Sequence, residues 1–247
     1  MTAPVKTLVT LATYNEIDNL PSLVDEILGF VPHAHVLVID DNSPDGTGRW
    51  CDERAGADPR VQCLHRTGKL GLGTAIIAGL KAGMERGYDQ IVNMDADFSH
   101  HPRYLPAILA GMQPANGPPV DCMIGSRYCP GGGVDGWPVK RLMMSRAVNF
   151  YARTMLGLSP QDCSGAYRCY RASILRKIEF DRIRSRGYAF QEEILLHIKN
   201  AGGRFGETPI IFADRVKGVS KINRKEALEA LRVIFQLGAS RLNPFAN

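Results

Sequence analysis

At 247 residues, 45% hydrophobic and 22% charged, the chain carries enough apolar material for one sizeable core, and a second full domain is not expected. Its net charge of +5 suits an anionic membrane surface or a phosphorylated substrate, whereas cations spread along the chain without interleaved surface aromatics argue against a nucleic-acid module. Cys51, Cys63, Cys122, Cys129, Cys163 and Cys169 show no C-x-x-C pair and no zinc-like spacing with the six histidines, and neither a signal peptide nor an eighteen-residue apolar run is found, so reduced thiols and a chain neither secreted nor membrane-spanning are expected.

In chain order, short apolar runs alternate with longer amphipathic ones. Thr7 to Ala12 reads as a strand that breaks at Thr13-Tyr14-Asn15-Glu16, after which Leu20, Leu23, Val24, Ile27 and Leu28 recur at helical spacing. Val36 to Ile39 is a second strand ending in Asp40-Asp41-Asn42-Ser43, with Ser43 or Asp45 placed to cap a helix through Trp50. Val61 to Leu64 is a third strand, and Thr74 to Arg86 the helix that follows it. Ile91 to Met94 and Cys122 to Gly125 are the fourth and fifth strands. Strands separated by helices imply parallel pairing through right-handed crossovers: an α/β fold with a Rossmann-like, mostly parallel central sheet flanked by helices.

The fourth strand stops at Asp95-Ala96-Asp97. Carboxyl ends of strands face the ligand crevice in such sheets, and two acids one residue apart repel unless a cation or a proton lies between them. A hard divalent ion resolves the conflict, since Mg²⁺ takes one or two protein carboxylates and completes its shell with water and substrate phosphate. The competing role for Asp97 or Ser99 is to cap a helix after Pro102. Glu16 and Asp40 or Asp41 stand where acids bind nucleotide hydroxyls, although Asn42 to Gly46 is also a strong turn sequence. The loop Thr67 to Gly73 sets glycines and Lys69 before a helix without matching a Walker loop, which makes Lys69 a secondary contributor.

The second half departs from simple alternation. After Gly125-Ser126-Arg127-Tyr128 and a glycine-rich loop, Trp137-Pro138 opens a helix from about Val139 to Leu156. Its Leu142, Met143, Met144, Val148, Phe150, Tyr151, Met155 and Leu156 accompany Lys140, Arg141, Arg146 and Arg153, so its apolar side faces either a core or a membrane surface. Arg127, Arg141 and Ser145 are candidates for an anionic head group.

Further on come Asp162-Cys163-Ser164-Gly165-Ala166-Tyr167-Arg168, Tyr188-Ala189-Phe190-Gln191-Glu192-Glu193 at the start of an apolar helical run, and Phe212-Ala213-Asp214-Arg215-Val216-Lys217-Gly218-Val219-Ser220-Lys221. Together with Thr13 to Glu16, Asp40-Asp41 and Asp95-Ala96-Asp97, these segments resemble the inverting GT-A glycosyltransferases, most closely the dolichol-phosphate (polyprenol-phosphate) mannose synthases. The order and spacing of the motifs carry the resemblance across nearly the whole chain.

The resemblance implies one GT-A catalytic domain over 1–247, with about 1–126 binding nucleotide and about 127–247 binding acceptor through amphipathic helices. It implies transfer of mannose from GDP-mannose to dolichyl or polyprenyl phosphate with inversion, giving a lipid-linked sugar donor. Mg²⁺ or Mn²⁺ would be held by Asp95 and Asp97, with Arg215 assisting departure of the nucleoside diphosphate. By resemblance, Ala12, Tyr14, Glu16, Asp41, Ala96 and Lys221 border nucleotide or diphosphate. Arg127, Arg141 and Ser145 meet the acceptor phosphate, Gln191 and Glu192 or Glu193 border the sugar, and Ser99 also belongs to the substrate-binding residues. Many relatives continue into transmembrane helices, whereas here Arg224 to Asn247 includes only an amphipathic run, Leu228, Leu231, Val233, Ile234, Phe235 and Leu237. A cytoplasmic enzyme held peripherally at the cytosolic face of a membrane, directly or by a small anchoring subunit, is therefore expected. Two other readings stand: a glucosyltransferase or other sugar-nucleotide transferase on the same scaffold, and a non-catalytic nucleotide- or lipid-binding subunit.

Overall fold

β-Branched and leucine-rich runs that alternate with amphipathic stretches fold here as strand and helix in turn. The computed structural model describes residues 4–185, 187–213 and 224–242. Its first half runs β1 (Thr7–Thr13), α1 (Leu20–Phe30), β2 (His35–Asp40), α2 (Thr47–Ala57), β3 (Val61–His65), α3 (Leu72–Glu85) and β4 (Gln90–Asp95). A 3-10 turn at Pro102–Tyr104 leads to α4 (Leu105–Gly111), β5 (Cys122–Ser126), β6 (Gly133–Val134), α5 (Val139–Leu156), β7 (Arg168–Arg171) and α6 (Ala172–Leu175). A second 3-10 turn at Phe180–Arg182 precedes α7 (Phe190–Asn200), β8 (Phe205–Pro209), β9 (Ile211–Phe212) and α8 (Arg224–Leu242).

Seven strands form one sheet in the order β3-β2-β1-β4-β7-β5-β8, while β6 and β9 pair separately. β1 runs parallel to both β2 and β4, and β2 to β3, as the alternation predicts. The fifth predicted strand does not follow the fourth directly in the sheet. β7 lies between them, antiparallel to each. Its arginine-flanked sequence hides it from a search for apolar runs. Arg168 is fully buried because its guanidinium donates to the carbonyls of Gln191 (2.6 Å) and Cys163 (2.7 Å), and Arg171 donates to Met112 O at 2.9 Å. The polar, half-exposed β8 escapes the same search, as does α4, whose proline occupies the first turn, where its missing N–H costs nothing.

Successive β1 residues point to opposite faces. Leu8 joins Leu37, Ile91 and side chains of α3, α5 and α7, while Val9 and Leu11 join α1, Cys51 of α2 and Leu105 and Ile108 of α4. Helices thus cover both faces, the arrangement that makes parallel strands apolar throughout. α3 lies close on the sheet, since a Cβ at Gly83 would sit 2.6 Å from Ile91 Cδ1. α2 continues past the expected Trp50 to Ala57. Its start is held by Asp45, whose Oδ1 accepts from Thr47 N–H at 3.0 Å, while the Ser43 hydroxyl donates to Asp40 instead.

α5 spans the expected residues and resolves its two-sided sequence. Ala152 and Leu156 enter the core, but Val139, Met143, Met144 and Phe150 are exposed, Phe150 by 70%. α8 packs on it, with Gly238 against Met155, and leaves Phe235 exposed. No described helix is long and apolar enough to cross a membrane.

Candidate active site

The sheet register gathers the predicted acids at one edge. Ala12 pairs with Ile39 on one side and Asp95 on the other, and Thr13 pairs with Asp40. The carboxyl ends of β2, β1 and β4 therefore meet side by side. The loops after β1 and β2 are stitched together: the N–H groups of Asn15, Glu16 and Ile17 donate to Ser43 Oγ (3.0 Å), Thr47 Oγ1 (3.1 Å) and Asp45 Oδ2 (3.1 Å). Residues 42–46 thus do the work of a turn, with Asn42 in the left-handed region at φ 59°. Asp40 belongs to the same turn, accepting from Ser43, whereas Asp41 pairs with Arg66 at 2.9 Å. Burial pushes the Asp41 carboxyl up, and the Arg66 guanidinium opposes that rise. Glu16 accepts from Asn19 Nδ2 at 3.1 Å, and Lys69 lies 4.7 Å from the centre of the Tyr14 ring, which brings the glycine-rich loop beside the β1 loop.

At the end of β4 the chain turns sharply, with Phe98 left-handed at φ 64°. Asp97 is only 3% exposed, and its Oδ1 accepts from both the N–H and the hydroxyl of Ser99. That is a local Asx turn and not a helix cap; His101 caps the 3-10 turn after Pro102. Ser99, expected among the substrate-binding residues, is buried, and its hydroxyl is committed to orienting the Asp97 carboxylate. The Asp95 side chain is 30% exposed, and its backbone N–H donates to His100 Nδ1 at 3.1 Å. Burial holds the His100 pKa below the ordinary imidazole range despite Asp95 and Asp97. The ring is therefore neutral, and the 3.4 Å approach of Asp95 Oδ2 to the same nitrogen is no ion pair. Two adjacent carboxylates, one recessed and oriented by Ser99 and one partly open, form a hard all-oxygen donor set that fits Mg²⁺ or Mn²⁺.

Arg127 stands close enough to Asp95 to feel its charge. Burial works against this guanidinium, yet Asp162 holds its pKa up: Arg127 Nε and Nη2 each lie 2.7 Å from a carboxylate oxygen, and Nη2 reaches Ser164 Oγ at 2.8 Å. Asp162 is fully buried and also accepts from the N–H groups of Arg127 and Gly165. Around the pair stand Trp137 and Phe212, with ring centres 5.7 and 5.5 Å from Arg127 Cζ. Arg141 Cζ lies 3.9 Å from the centre of the Trp137 ring, and His100 meets Phe212 at 5.2 Å. An aromatic bridge therefore joins the Asp95 edge to the start of α5. Ser145, one helical turn after Arg141, accepts from Tyr128 OH at 2.6 Å. Beyond it a cavity of about 250 Å³ is lined by Tyr128, Arg146, Asn149, Phe150, Arg153 and Gln161.

The three polar residues at the start of α7 separate into distinct roles. Glu193 accepts from the N–H groups of Arg184 (3.0 Å) and Ser185 (2.8 Å), so it secures the preceding loop. Gln191 and Glu192 are 2% and 3% exposed, and neither end of the Gln191 amide nor Glu192 Oε2 has a hydrogen-bond partner among the described residues. Burial pushes the Glu192 carboxyl up to about 7, with Arg168, Asp162 and Arg127 in its field.

Arg215 and Lys221 lie outside the described residues. Sequence reasoning gave no role to Asp162, Trp137 or His100, which the fold sets beside the predicted residues. Asp162 stood in a recognised segment, but only folding shows that its partner is Arg127, thirty-five positions earlier. His100 carried no signal beyond its place two residues after Phe98.

The family model for "Glycosyl transferase family 2" matches residues 9–179. Undecaprenyl-phosphate mannosyltransferase of Micrococcus luteus is 48% identical over 219 residues, covering 89% of this chain and 88% of that protein. Polyprenol monophosphomannose synthase of Mycolicibacterium smegmatis is 44% identical over 234 residues, covering 94% and 87%. Among solved structures, glucosyl-3-phosphoglycerate synthase from Mycobacterium tuberculosis, crystallised with Mn²⁺ and UDP-glucose, shares the fold at TM-score 0.66 and 19% identity, over 97% of this chain and 79% of that one. The matched region runs from β1 past the Asp162 turn and takes in the strand-end acids and the Arg127–Asp162 pair, so the chain belongs to glycosyl transferase family 2.

Proposed function

We propose that the chain transfers mannose from GDP-mannose to a polyprenyl phosphate with inversion at the anomeric carbon. The observation that carries this reading is a run of contacts from the strand-end acids to α5. His100, bonded to the Asp95 N–H, meets Phe212, Phe212 meets Trp137, and Trp137 lies beside Arg127 and Arg141, beyond which α5 exposes Val139, Met143, Met144 and Phe150. Such an arrangement suits a sugar nucleotide meeting a phosphate at the end of a greasy chain. The two mannosyltransferase relatives, matched over most of their length, support the choice of sugar and acceptor.

Ala12, Tyr14, Glu16, Asp41 and Ala96 border the nucleotide, and Asp95 with Asp97 would hold a divalent metal whose chemistry is to neutralise the departing diphosphate. The Mn²⁺ bound by the glucosyl-3-phosphoglycerate synthase supports metal use. Arg141, Ser145 and the Arg127–Asp162 unit hold the acceptor phosphate, already an anion near neutral pH, so attack needs little help from a general base. Orientation and charge compensation carry the rate. Gln191 and Glu192, with unsatisfied polar atoms, hydrogen-bond the sugar, and Arg215 and Lys221 complete the diphosphate cradle. Val139, Met143, Met144 and Phe150, interleaved with Lys140, Arg141, Arg146 and Arg153, rest on an anionic membrane surface and feed the acceptor tail to the site.

Purified protein is incubated with GDP-mannose, UDP-glucose or UDP-N-acetylglucosamine, a short polyprenyl phosphate and Mg²⁺ or Mn²⁺. Lipid-linked mannose formed from GDP-mannose supports the reading. Preferential transfer from a uridine nucleotide, or no lipid-linked sugar from any donor, overturns it.

A further inference from the structure

Away from the Asp95 edge, α2 packs on β3 and brings together side chains that the chain order keeps apart. Cys51 and Asp52 belong to α2. Cys63 and His65, two positions apart on β3, share a strand face. Cys63 Sγ lies 4.0 Å from His65 Nδ1, and His65 Nε2 lies 2.8 Å from Asp52 Oδ1. One ligand atom from each of Asp52, Cys63 and His65 falls within 4.8 Å of the others. Behind them Cys51 is fully buried, and its thiol donates to the Gln62 carbonyl at 3.8 Å.

We propose that Asp52, Cys63 and His65 form a site for a divalent transition ion of the zinc class. The physical case is the donor set and its spacing. Zn–S and Zn–N bonds of about 2.3 and 2.1 Å put neighbouring tetrahedral ligand atoms roughly 3.3 to 3.8 Å apart. Rotation of the exposed His65 and Asp52 side chains closes the remaining gap. One thiolate, one imidazole and one carboxylate leave a fourth position for water. The soft sulfur also separates this site from Asp95 and Asp97, whose oxygens suit Mg²⁺ or Mn²⁺. An ion here clips α2 to β3.

Full-length protein freed of metal is titrated with Co²⁺ and then with Zn²⁺. The expected result is a near-ultraviolet thiolate-to-cobalt charge-transfer band that saturates at one equivalent, is bleached by Zn²⁺, and persists in Asp95→Asn. Cys63→Ser abolishes the band. His65→Ala, a surface change that leaves the fold intact, weakens Co²⁺ binding by at least the ~10-fold that loss of an outer-shell partner costs. Stoichiometric Zn²⁺ raises the melting temperature of the parent protein but not of His65→Ala. Absence of the band in the parent protein overturns the proposal, as does a band retained in Cys63→Ser or an unchanged Co²⁺ affinity in His65→Ala.

Discussion

The buried Arg127–Asp162 pair makes the sharpest prediction about how the two halves of the site are held. Asp162→Asn keeps the side-chain volume but removes the charge and turns one acceptor into a donor. That donor then faces Arg127 and Gly165 N–H groups that all require acceptors. Both partners are buried, Asp162 completely and Arg127 at 8% exposure, so the orphaned guanidinium stays desolvated. Breaking a buried pair on one side costs about 3–5 kcal/mol, which for a chain of this size lowers the melting temperature by roughly 6 to 20 °C. The pH dependence adds a second constraint. Asp162 is pulled below the ordinary carboxylate range by Arg127 and its hydrogen bonds, which outweigh burial. A carboxyl whose folded pKa is depressed contributes stability that is fully present above its unfolded value, about 3.9, and is lost as pH falls through the folded value. The gap between wild type and Asp162→Asn is therefore constant near neutrality and narrows only below about pH 4. The assay is thermal or denaturant unfolding over a pH series, with Asp162→Asn/Arg127→Met alongside. Removing both charges recovers much of the loss, because no charge is then left buried alone. A single variant that costs under about 1 kcal/mol, or a double variant as unstable as the single, would refute the reasoning.

Asp97→Asn leaves the fold intact but lowers kcat/KM by about 10²–10³ or more, since a neutral amide is a poor ligand for the cation that neutralises the diphosphate; metal-dependent nucleotide binding falls with it, both read by steady-state kinetics and calorimetry. Glu192, raised by burial from 4.5 to about 7, has the opposite sign to Asp162. Its neutral form is the one the fold accepts, so wild type loses roughly 3 kcal/mol as pH rises from about 4.5 through 7, whereas Glu192→Gln melts at nearly constant temperature over that window. Phe150→Ser, at a residue 70% exposed, leaves the melting temperature unchanged but weakens binding to anionic vesicles about 10-fold or more, since inserting a phenyl ring into lipid is worth roughly 1.5–3 kcal/mol; equal flotation of both proteins would sink the membrane reading.

The parallel half of the sheet was legible because its strands are buried on both faces and therefore read as plain apolar runs. Val36 to Ile39 and Ile91 to Met94 need no partner to declare themselves. β7 was hidden because Arg168 and Arg171 hydrogen-bond carbonyls far off in the chain, and a charge satisfied that way is invisible to periodicity. Among site residues, Asp95 and Asp97 could be read as a pair because strand geometry puts a strand's last residues at the crevice. Their division of labour could not. Ser99 and Glu193 were read as substrate contacts, and only the fold shows their internal partners: Ser99 donates to Asp97, and Glu193 accepts from Arg184.

By itself, the sequence determined the strand–helix alternation, the acids at the strand ends and the two-sided character of α5, all properties of neighbours within a few residues. Only the tertiary structure decided that Arg127 belongs to Asp162, that Trp137 and Phe212 join the two ends of the site, that Phe150 faces outward, and that Cys63, His65 and Asp52 converge. The reason is physical: a buried charge or a soft donor takes its meaning from the group it meets across the fold, and local propensity carries no information about which group that is.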